Sequence, residues 1–270
     1  MNIVVCVKHV PDATADRHFE ADNTVDRVGV DGLLSELDEY AVEQALQIRE
    51  GSGVPDDVVV TVLCVGPDQA TDAVRKALQM GADRGVHVVD DAIAGSDALA
   101  TSLVLAKAVE KIGSETAWDL VVCGMASTDG SMGVVPAMLS ERLGVPGLTL
   151  GSEITVTEGE GGTVRIRRDG DVATQTIDGA LPLVLSVTDQ SGEARYPSFK
   201  GIMSAKKKPV ETWSLADLGL DPSQVGLSSA WTVVEDTTSR PPRTAGEIVV
   251  DEDGSGATAL VGFLASKKFI

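Results

Sequence analysis

Cysteine and histidine are scarce, three of each in 270 residues, and their positions exclude more than their number does. Cys6, Cys64 and Cys123 each fall inside or at the end of an apolar run (IVVCV, TVLCV, LVVCG). They therefore form neither a CxxC site nor a disulfide framework, and small core residues are expected. His9, His18 and His87 lie far apart, and no two of them stand at the three- or four-residue spacing that sets two ligands on one helix face. His87, in RGVHVVDD, alternates with apolar neighbours as an exposed strand position would. No run approaches the roughly 18 uncharged apolar residues of a membrane span, and MNIVVCVKHVPD enters a strand without a signal-peptide layout. A cytoplasmic chain without direct membrane insertion is expected. Positive charge is short too: 22 Lys and Arg against 41 Asp and Glu leave a net charge of -19, a field that repels nucleic-acid backbones and excludes them as partners.

Two phosphate-binding signatures are also missing. After the first apolar run the chain reads CVKHVPDAT and not GxGxxG, which disfavours NAD-type binding by this chain alone. No Gly-rich loop ends in GK[ST], so nothing supports triphosphate hydrolysis.

What is present is an alternation. The apolar, β-branched runs Ile3–Val7, Val58–Val65, Val86–Val89 and Leu120–Cys123 read as strands buried on both faces. Between them LDEYAVEQALQIRE (Leu37–Glu50), DQATDAVRKALQMGADRG closed by Gly81, and SDALATSLVLAKAVEKIG, capped by Ser96 and ended by Gly113, read as helices. This predicts an α/β, doubly wound, mostly parallel sheet of the adenine-nucleotide-binding, Rossmann-like kind. From 151 to 180 the texture turns antiparallel, with Gly-rich turns and TVRIR in period two, before one more core strand in LPLVLSVT (Leu181–Thr188). The expected division is a nucleotide-binding domain at 1–212 and an extended C-terminal arm at 213–270, where compact packing fades.

One loop carries chemistry. VVCGMASTDGSMGVVPAML places Gly124 to Gly133 at the carboxyl end of a parallel strand, ahead of a helix N-terminus. That edge is where doubly wound sheets bind ligands, and free helix N–H groups attract phosphate. The glycines admit tight backbone turns, and Ser127, Thr128 and Ser131 add hydroxyls. The loop holds no lysine, so a phosphate here would rest on neutral donors, which suits binding and not phosphoryl transfer. Taken alone, the loop is equally an ordinary βα connection, with Asp129 capping it. VGPDQATDAV, with Gly66 before a second helix start, faces the same edge.

VVCVKHVPD, DEYAVEQAL, VGPDQATDAVRKALQMGADRGVHV, DLVVCG with its loop, and ARYPSFKGIMSAKKKPVE together resemble the β subunit of electron transfer flavoprotein over nearly the whole chain. The resemblance implies an electron-carrier subunit, not an enzyme. It implies a heterodimer with an α subunit that holds most of the redox FAD, while the β subunit buries a structural AMP; in bifurcating relatives a second flavin takes that place. Electrons come from acyl-CoA and related dehydrogenases and leave to a membrane quinone oxidoreductase. The implied cofactor-binding residues are Cys6, Ser35, Glu36, Leu37, Asp38, Val65 and Gly66, with Gly124, Met125, Ala126, Ser127, Thr128, Asp129, Gly130, Ser131, Met132, Gly133, Val134 and Val135 as the phosphate cradle. Gly133 and Val134 stand where one family version has amide side chains, and Leu37 and Ala13 where some relatives place aromatics near the flavin.

The same resemblance makes 193–208 a partner-recognition loop, formed by Arg195, Tyr196, Pro197, Ser198, Phe199, Lys200, Ile202 and Met203, with Phe199 as the anchor. An exposed anchor can carry several kcal/mol of a transient interface; the alternative is that Phe199 packs onto its own domain. Lys206 to Lys208 form either a solvated face or an electrostatic contact with the α subunit. The arm at 213–270 would wrap that subunit. A rival reading is a stand-alone nucleotide-binding regulatory protein of the universal-stress type, which has no use for the recognition segment or the tail. A third reading, an adenine-nucleotide hydrolase, is disfavoured because the chain lacks both a Walker lysine and an obvious metal-binding carboxylate cluster.

Overall fold

β-Branched residues dominate the apolar runs, and in the structure they pair side by side. The computed structural model describes residues 1–159, 161–238, 241, 246, 248–251 and 253–270. Its elements run β1 (Asn2–Val7), β2 (His9–Pro11), β3 (Gly32–Leu34), α1 (Glu36–Gly51), β4 (Val59–Val65), α2 (Thr71–Met80), β5 (Arg84–Val88), α3 (Ala98–Glu115) and β6 (Leu120–Gly124). They continue with α4 (Val135–Leu143), β7 (Gly147–Gly151), β8 (Glu153–Thr157), β9 (Thr163–Asp169), β10 (Thr174–Ala180), β11 (Leu183–Val187), α5 (Phe199–Ala205), β12 (Val210–Trp213) and α6 (Gly256–Ser266).

Seven strands form one sheet in the order β12-β5-β4-β1-β6-β11-β7, and every neighbouring pair is parallel. The doubly wound α/β expectation holds. Residues of α1 and α2 join the core on one face of the sheet and those of α3 and α4 the core on the other. Chain order runs from β1 outward through β4 and β5, then returns to β6 on β1's other side. The connections leaving β1 and β6 therefore diverge, and the carboxyl ends of these two strands form the switch-point crevice of such sheets. Within β1, β4, β6 and β11 nearly all residues are buried, which is why their sequence is continuously apolar.

The stretch after β7 is a three-stranded antiparallel sheet in the order β10-β9-β8. Val164 and Ile166 of β9 enter the first core, while Thr163, Arg165 and Arg167 alternate outward. The period-two pattern predicted this excursion.

Three local expectations are corrected. The cap of α3 is Asp97, whose carboxylate accepts from the Ala100 N–H, and not Ser96; the helix runs past Gly113 to Glu115. His87 is buried, with Nε2 3.1 Å from the Gly66 carbonyl, because β5 is an interior strand and its polar ring finds a partner inside. Packing also does not fade at residue 213. β12 pairs with β5, and Trp213, Leu215, Leu218, Leu220 and Val225 are buried in the second core. The contacts divide the chain into Met1–Glu235 and Asp236–Ile270. The second unit contains α6, which has no buried residue and exposes Leu260, Val261 and Phe263.

Leu46 of α1 is fully buried in the first core. Leu46→Ala should lower the unfolding free energy by about 2–5 kcal/mol in urea denaturation; a loss under about 1 kcal/mol would mean that α1 is not packed as described.

Candidate functional site

The crevice between the ends of β1 and β6 is built by three segments that meet closely. Ser35, just before α1, donates its backbone N–H to the Lys8 carbonyl at 2.9 Å, and the Lys8 N–H donates to Asp38 Oδ2 at 2.8 Å. Gly124 ends β6 against this corner: a Cβ there would lie 2.5 Å from Asp38 Oδ1 and 2.7 Å from the Leu37 carbonyl oxygen, so only glycine lets β6 and α1 approach this far. Ser35 Oγ is fully buried and, among the described residues, has no hydrogen-bond partner. A buried hydroxyl without a partner is uncommon and marks a place for one.

Beyond Gly124 the loop folds back on itself. The Ser131 N–H donates to the Ser127 carbonyl at 3.0 Å, and Ser131 and Gly133 both take positive φ, 52° and 66°. The turn leads into α4, whose second residue is Pro136. Among the described hydrogen bonds none is donated by the backbone N–H of Gly133, Val134 or Val135. These are free donors at the positive end of a helix.

Asp129 anchors the loop from within. Lys8 Nζ donates to its Oδ1 at 2.8 Å, Arg27 Nη2 to its Oδ2 at 2.7 Å, and the Gly130 N–H to Oδ1 at 2.6 Å. The side chain is 4% exposed. Burial pushes its carboxyl toward protonation, but the Lys8 ammonium, hydrogen bonds from Lys8 and Ser127, and the Arg27 guanidinium outweigh this and hold it well below the usual carboxylate range. Asp129, Lys8 and Arg27 thus sum to one positive charge, before the nearby Asp38 carboxyl is counted.

Asp38 behaves in the opposite way. Burial dominates and pushes its carboxyl up to about 7, against the hydrogen bond from the Lys8 N–H and the nearby Lys8 charge, with Asp129 adding repulsion. The thiols of Cys6 and Cys123 form part of the apolar floor, while Cys64 of β4 lies in the core on the other face of the sheet. Cys123 is hydrogen-bonded to Cys6, which with burial raises the Cys123 thiol well above its ordinary value; burial pushes Cys64 up to about 12. Such thiols are inert core groups, as the apolar runs predicted.

Of the residues singled out from sequence, Cys6, Ser35, Leu37, Asp38 and Gly124–Val135 converge on this crevice. Glu36 is exposed beside it. Gly66 serves a different purpose: its N–H is spent on the Val88 carbonyl at 3.1 Å, and Ala70 fills the space a Cβ would take. That leaves it no free amide, and Val65 beside it is half-buried at the end of β4. Sequence reasoning missed Lys8 and Arg27. Lys8 directly follows β1, next to β6 in a doubly wound order, so its arrival at the loop was foreseeable. Arg27, 102 residues from Asp129 in the chain, gave no signal.

The second candidate surface is the segment 193–208, which is not a loop throughout: Phe199–Ala205 forms α5, with Ser198 Oγ accepting from the Gly201 N–H at 3.0 Å. Arg195 clamps its start to α1, pairing with Glu43 (Nε to Oε2, 2.7 Å) and Glu50 (Nη1 to Oε1, 2.6 Å). The guanidinium is thereby held charged, by the hydrogen bonds it donates to these two carboxylates above all. Lys208 closes the other end by donating to the Leu78 and Ala82 carbonyls near the end of α2, at 3.0 and 2.5 Å, so this lysine is not part of a solvated run. Between the clamps Tyr196 is 91% and Phe199 80% exposed, with Ile202 and Met203 exposed beside them. Phe199 does not pack onto its own domain. Pro197 is half-buried and Lys200 exposed.

Comparison with known proteins adds a family. A model for the electron transfer flavoprotein domain matches residues 22–218. The electron transfer flavoprotein subunit beta of Mycobacterium leprae (strain TN) is 46% identical over 272 residues, covering 100% of this chain and 99% of the relative. That of Megasphaera elsdenii is 32% identical over 256 residues, covering 94% and 93%. Protein FixA of Azorhizobium caulinodans is 35% identical over 264 residues, covering 97% and 92%.

The raised Asp38 carboxyl has a consequence for stability. Between the ordinary value of 3.8 and about 7 the folded chain keeps a proton that the unfolded chain has lost, so stability falls as pH rises through this window and levels off above it. Asp38→Asn removes that slope. Unfolding free energies measured from about pH 4 to pH 8 should show the parent losing a few kcal/mol relative to the variant; parallel curves would place the Asp38 carboxyl at an ordinary value.

Proposed function

The chain belongs to the electron transfer flavoprotein beta-subunit family, and from that premise we propose that it acts with an α subunit in a complex containing FAD and AMP. As a member of that family it is an electron-carrier subunit of a flavoprotein and not a catalytic enzyme. The rival reading as a stand-alone nucleotide-binding regulator has no observation in its favour.

The observation that carries the proposal is the fit of the β1–β6 crevice to a nucleoside monophosphate. Three free N–H groups at Gly133, Val134 and Val135, the hydroxyls of Ser127, Thr128 and Ser131, and one net positive charge suit a phosphate of low charge. The unpartnered Ser35 hydroxyl and the backbone of 35–38 offer polar contacts for the nucleoside, beside the apolar floor of Cys6 and Cys123. AMP meets these demands. The role of AMP is structural: it satisfies buried donors and holds the loop, the strand end and the α1 start in one arrangement.

The FAD, held mainly on the α subunit, supplies electron acceptance and donation when bound. This chain's residues enclose and dock. Segment 193–208 docks on acyl-CoA and related dehydrogenases, with Phe199 as anchor and Arg195 fixing the segment before the partner arrives, which lowers the ordering cost of binding. Electrons leave to a quinone oxidoreductase. The C-terminal unit Asp236–Ile270, with its exposed Leu260, Val261 and Phe263, wraps the α subunit, which would cover an apolar surface otherwise left to water. Among the described residues no helix is long and apolar enough to cross a membrane. We place the complex in the cytoplasm.

Gly133→Glu sets a carboxylate at the free N–H groups and should sharply reduce copurifying AMP, seen as loss of its 31P resonance from the purified complex; full retention would remove the loop as cradle. Phe199→Ala should slow the second-order reduction of the complex by a substrate-reduced acyl-CoA dehydrogenase by roughly tenfold or more with flavin content intact, and unchanged kinetics would end the docking assignment.

A further inference from the structure

The crevice contains a second buried carboxyl, and unlike Asp129 it has no cation of its own. Asp38 sits where β1, α1 and β6 meet; its Oδ2 accepts the Lys8 N–H at 2.8 Å, and the Gly124 N–H also bonds the carboxyl. Among the described hydrogen bonds and ion pairs none joins a cation to it. The Lys8 ammonium is spent on Asp129 at 2.8 Å and on the Ser127 hydroxyl at 3.4 Å, and Arg27 holds the other Asp129 oxygen. The remaining neighbours bring no positive charge. Cys6 of β1, Cys64 of β4 and Cys123 of β6 carry buried thiols, Asp129 faces it from the loop, and on its own helix Glu36 is exposed while Glu39 pairs with Lys76 of α2 at 3.6 Å. The two N–H bonds and the start of α1 favour the carboxylate, whereas burial favours the acid. Burial prevails, and the carboxyl is pushed up to about 7. The charge of the crevice therefore turns on one proton: Lys8, Arg27 and Asp129 sum to one positive charge, which an ionised Asp38 would cancel.

We propose that the crevice takes up its nucleoside monophosphate together with a proton, and that Asp38 holds this proton. The inference rests on the reading of the crevice as the AMP site and adds a condition to it. An anion bound beside a carboxyl favours the protonated form, and by reciprocity the protonated form favours the anion. Below about 7 Asp38 carries its proton before the nucleotide arrives, and affinity is highest. As pH rises past that value the nucleotide must draw a proton from solution, so affinity falls until the bound state has lost its proton as well. The phosphate's own second ionisation, near about 6, works in the opposite direction, because a dianion is held more firmly by Lys8 and Arg27. Ser35 ties the nucleotide to the same corner. Its fully buried hydroxyl has no partner and stands three residues before Asp38, so a nucleotide that satisfies it meets the turn that carries the carboxyl.

The test uses the purified complex with its α subunit, loaded with isotopically labelled AMP and chased with an excess of unlabelled AMP. Between about pH 6 and about pH 9 the release rate of the parent should rise roughly tenfold. Asp38→Asn has no titrating group at this position and should give a flat profile. A parent rate that does not change with pH, or equal slopes in parent and variant, would overturn the proposal. The asparagine can accept only one of the two N–H bonds, so a variant that fails to keep AMP leaves the decision to the parent. In its infrared spectrum at about pH 8 the C=O stretch of a protonated carboxyl should be present with AMP bound and fade as AMP is released; its absence from the AMP-bound complex would overturn the proposal equally. The two levels separate cleanly. If the purified complex contains no AMP, the reading of the crevice fails and the proton coupling with it; if it contains AMP that leaves at one rate at every pH, that reading stands and the role of Asp38 fails.

Discussion

Both oxygens of the Asp129 carboxylate are held, one by Lys8 and one by Arg27, and through them a loop after β6 is tied to the end of β1 and to the excursion between β2 and β3. The group is almost fully buried, so removing both cations would leave a charge without compensation, an expensive condition inside a protein. The carboxylate therefore fixes where the loop turns. That turn sets the Gly133 to Val135 amides at the crevice mouth, and the fixed corner lets Gly124 press against Asp38. Without the triad the loop would have the freedom of an ordinary βα connection.

Two surfaces of different character follow from one sheet. The crevice at the switch point carries a buried ion triad and is lined by donors without partners. The segment at 193–208 is open, basic and apolar at its tip, and is held between the Arg195 clamp on α1 and the Lys208 contact with the end of α2. Because α1 begins at the crevice with Ser35 and ends beside the Arg195 clamp at Glu50, one helix positions both surfaces. Under the proposed function this arrangement would separate a structural nucleotide from a transient docking contact while keeping their geometry linked.

Much of the fold was legible because buried parallel strands leave a direct trace: β-branched runs with no polar alternation mark β1, β4, β6 and β11. The loop at 124–135 was legible for a similar reason, since strand, glycines and helix start follow one another within a few residues. The triad was not, because Lys8 and Asp129 stand 121 residues apart and no local pattern links them. His87 misled because alternation around a polar residue suggests an exposed face, whereas the ring is buried against the Gly66 carbonyl. The packing of Trp213 to Val225 was also hidden: its apolar residues are spaced too irregularly for either helix or strand periodicity, and short turns carry them into the core.

The central claim is that the β1–β6 crevice holds a structural nucleoside monophosphate beside a single flavin. Its most direct test is to coexpress this chain with its α subunit, denature the purified complex and quantify the released nucleotides by mass spectrometry. The account predicts one FAD and one AMP for each pair of subunits. Two FAD without AMP would give the crevice to a second flavin, and FAD with no adenine monophosphate at all would leave it without a nucleotide; either result would contradict the account.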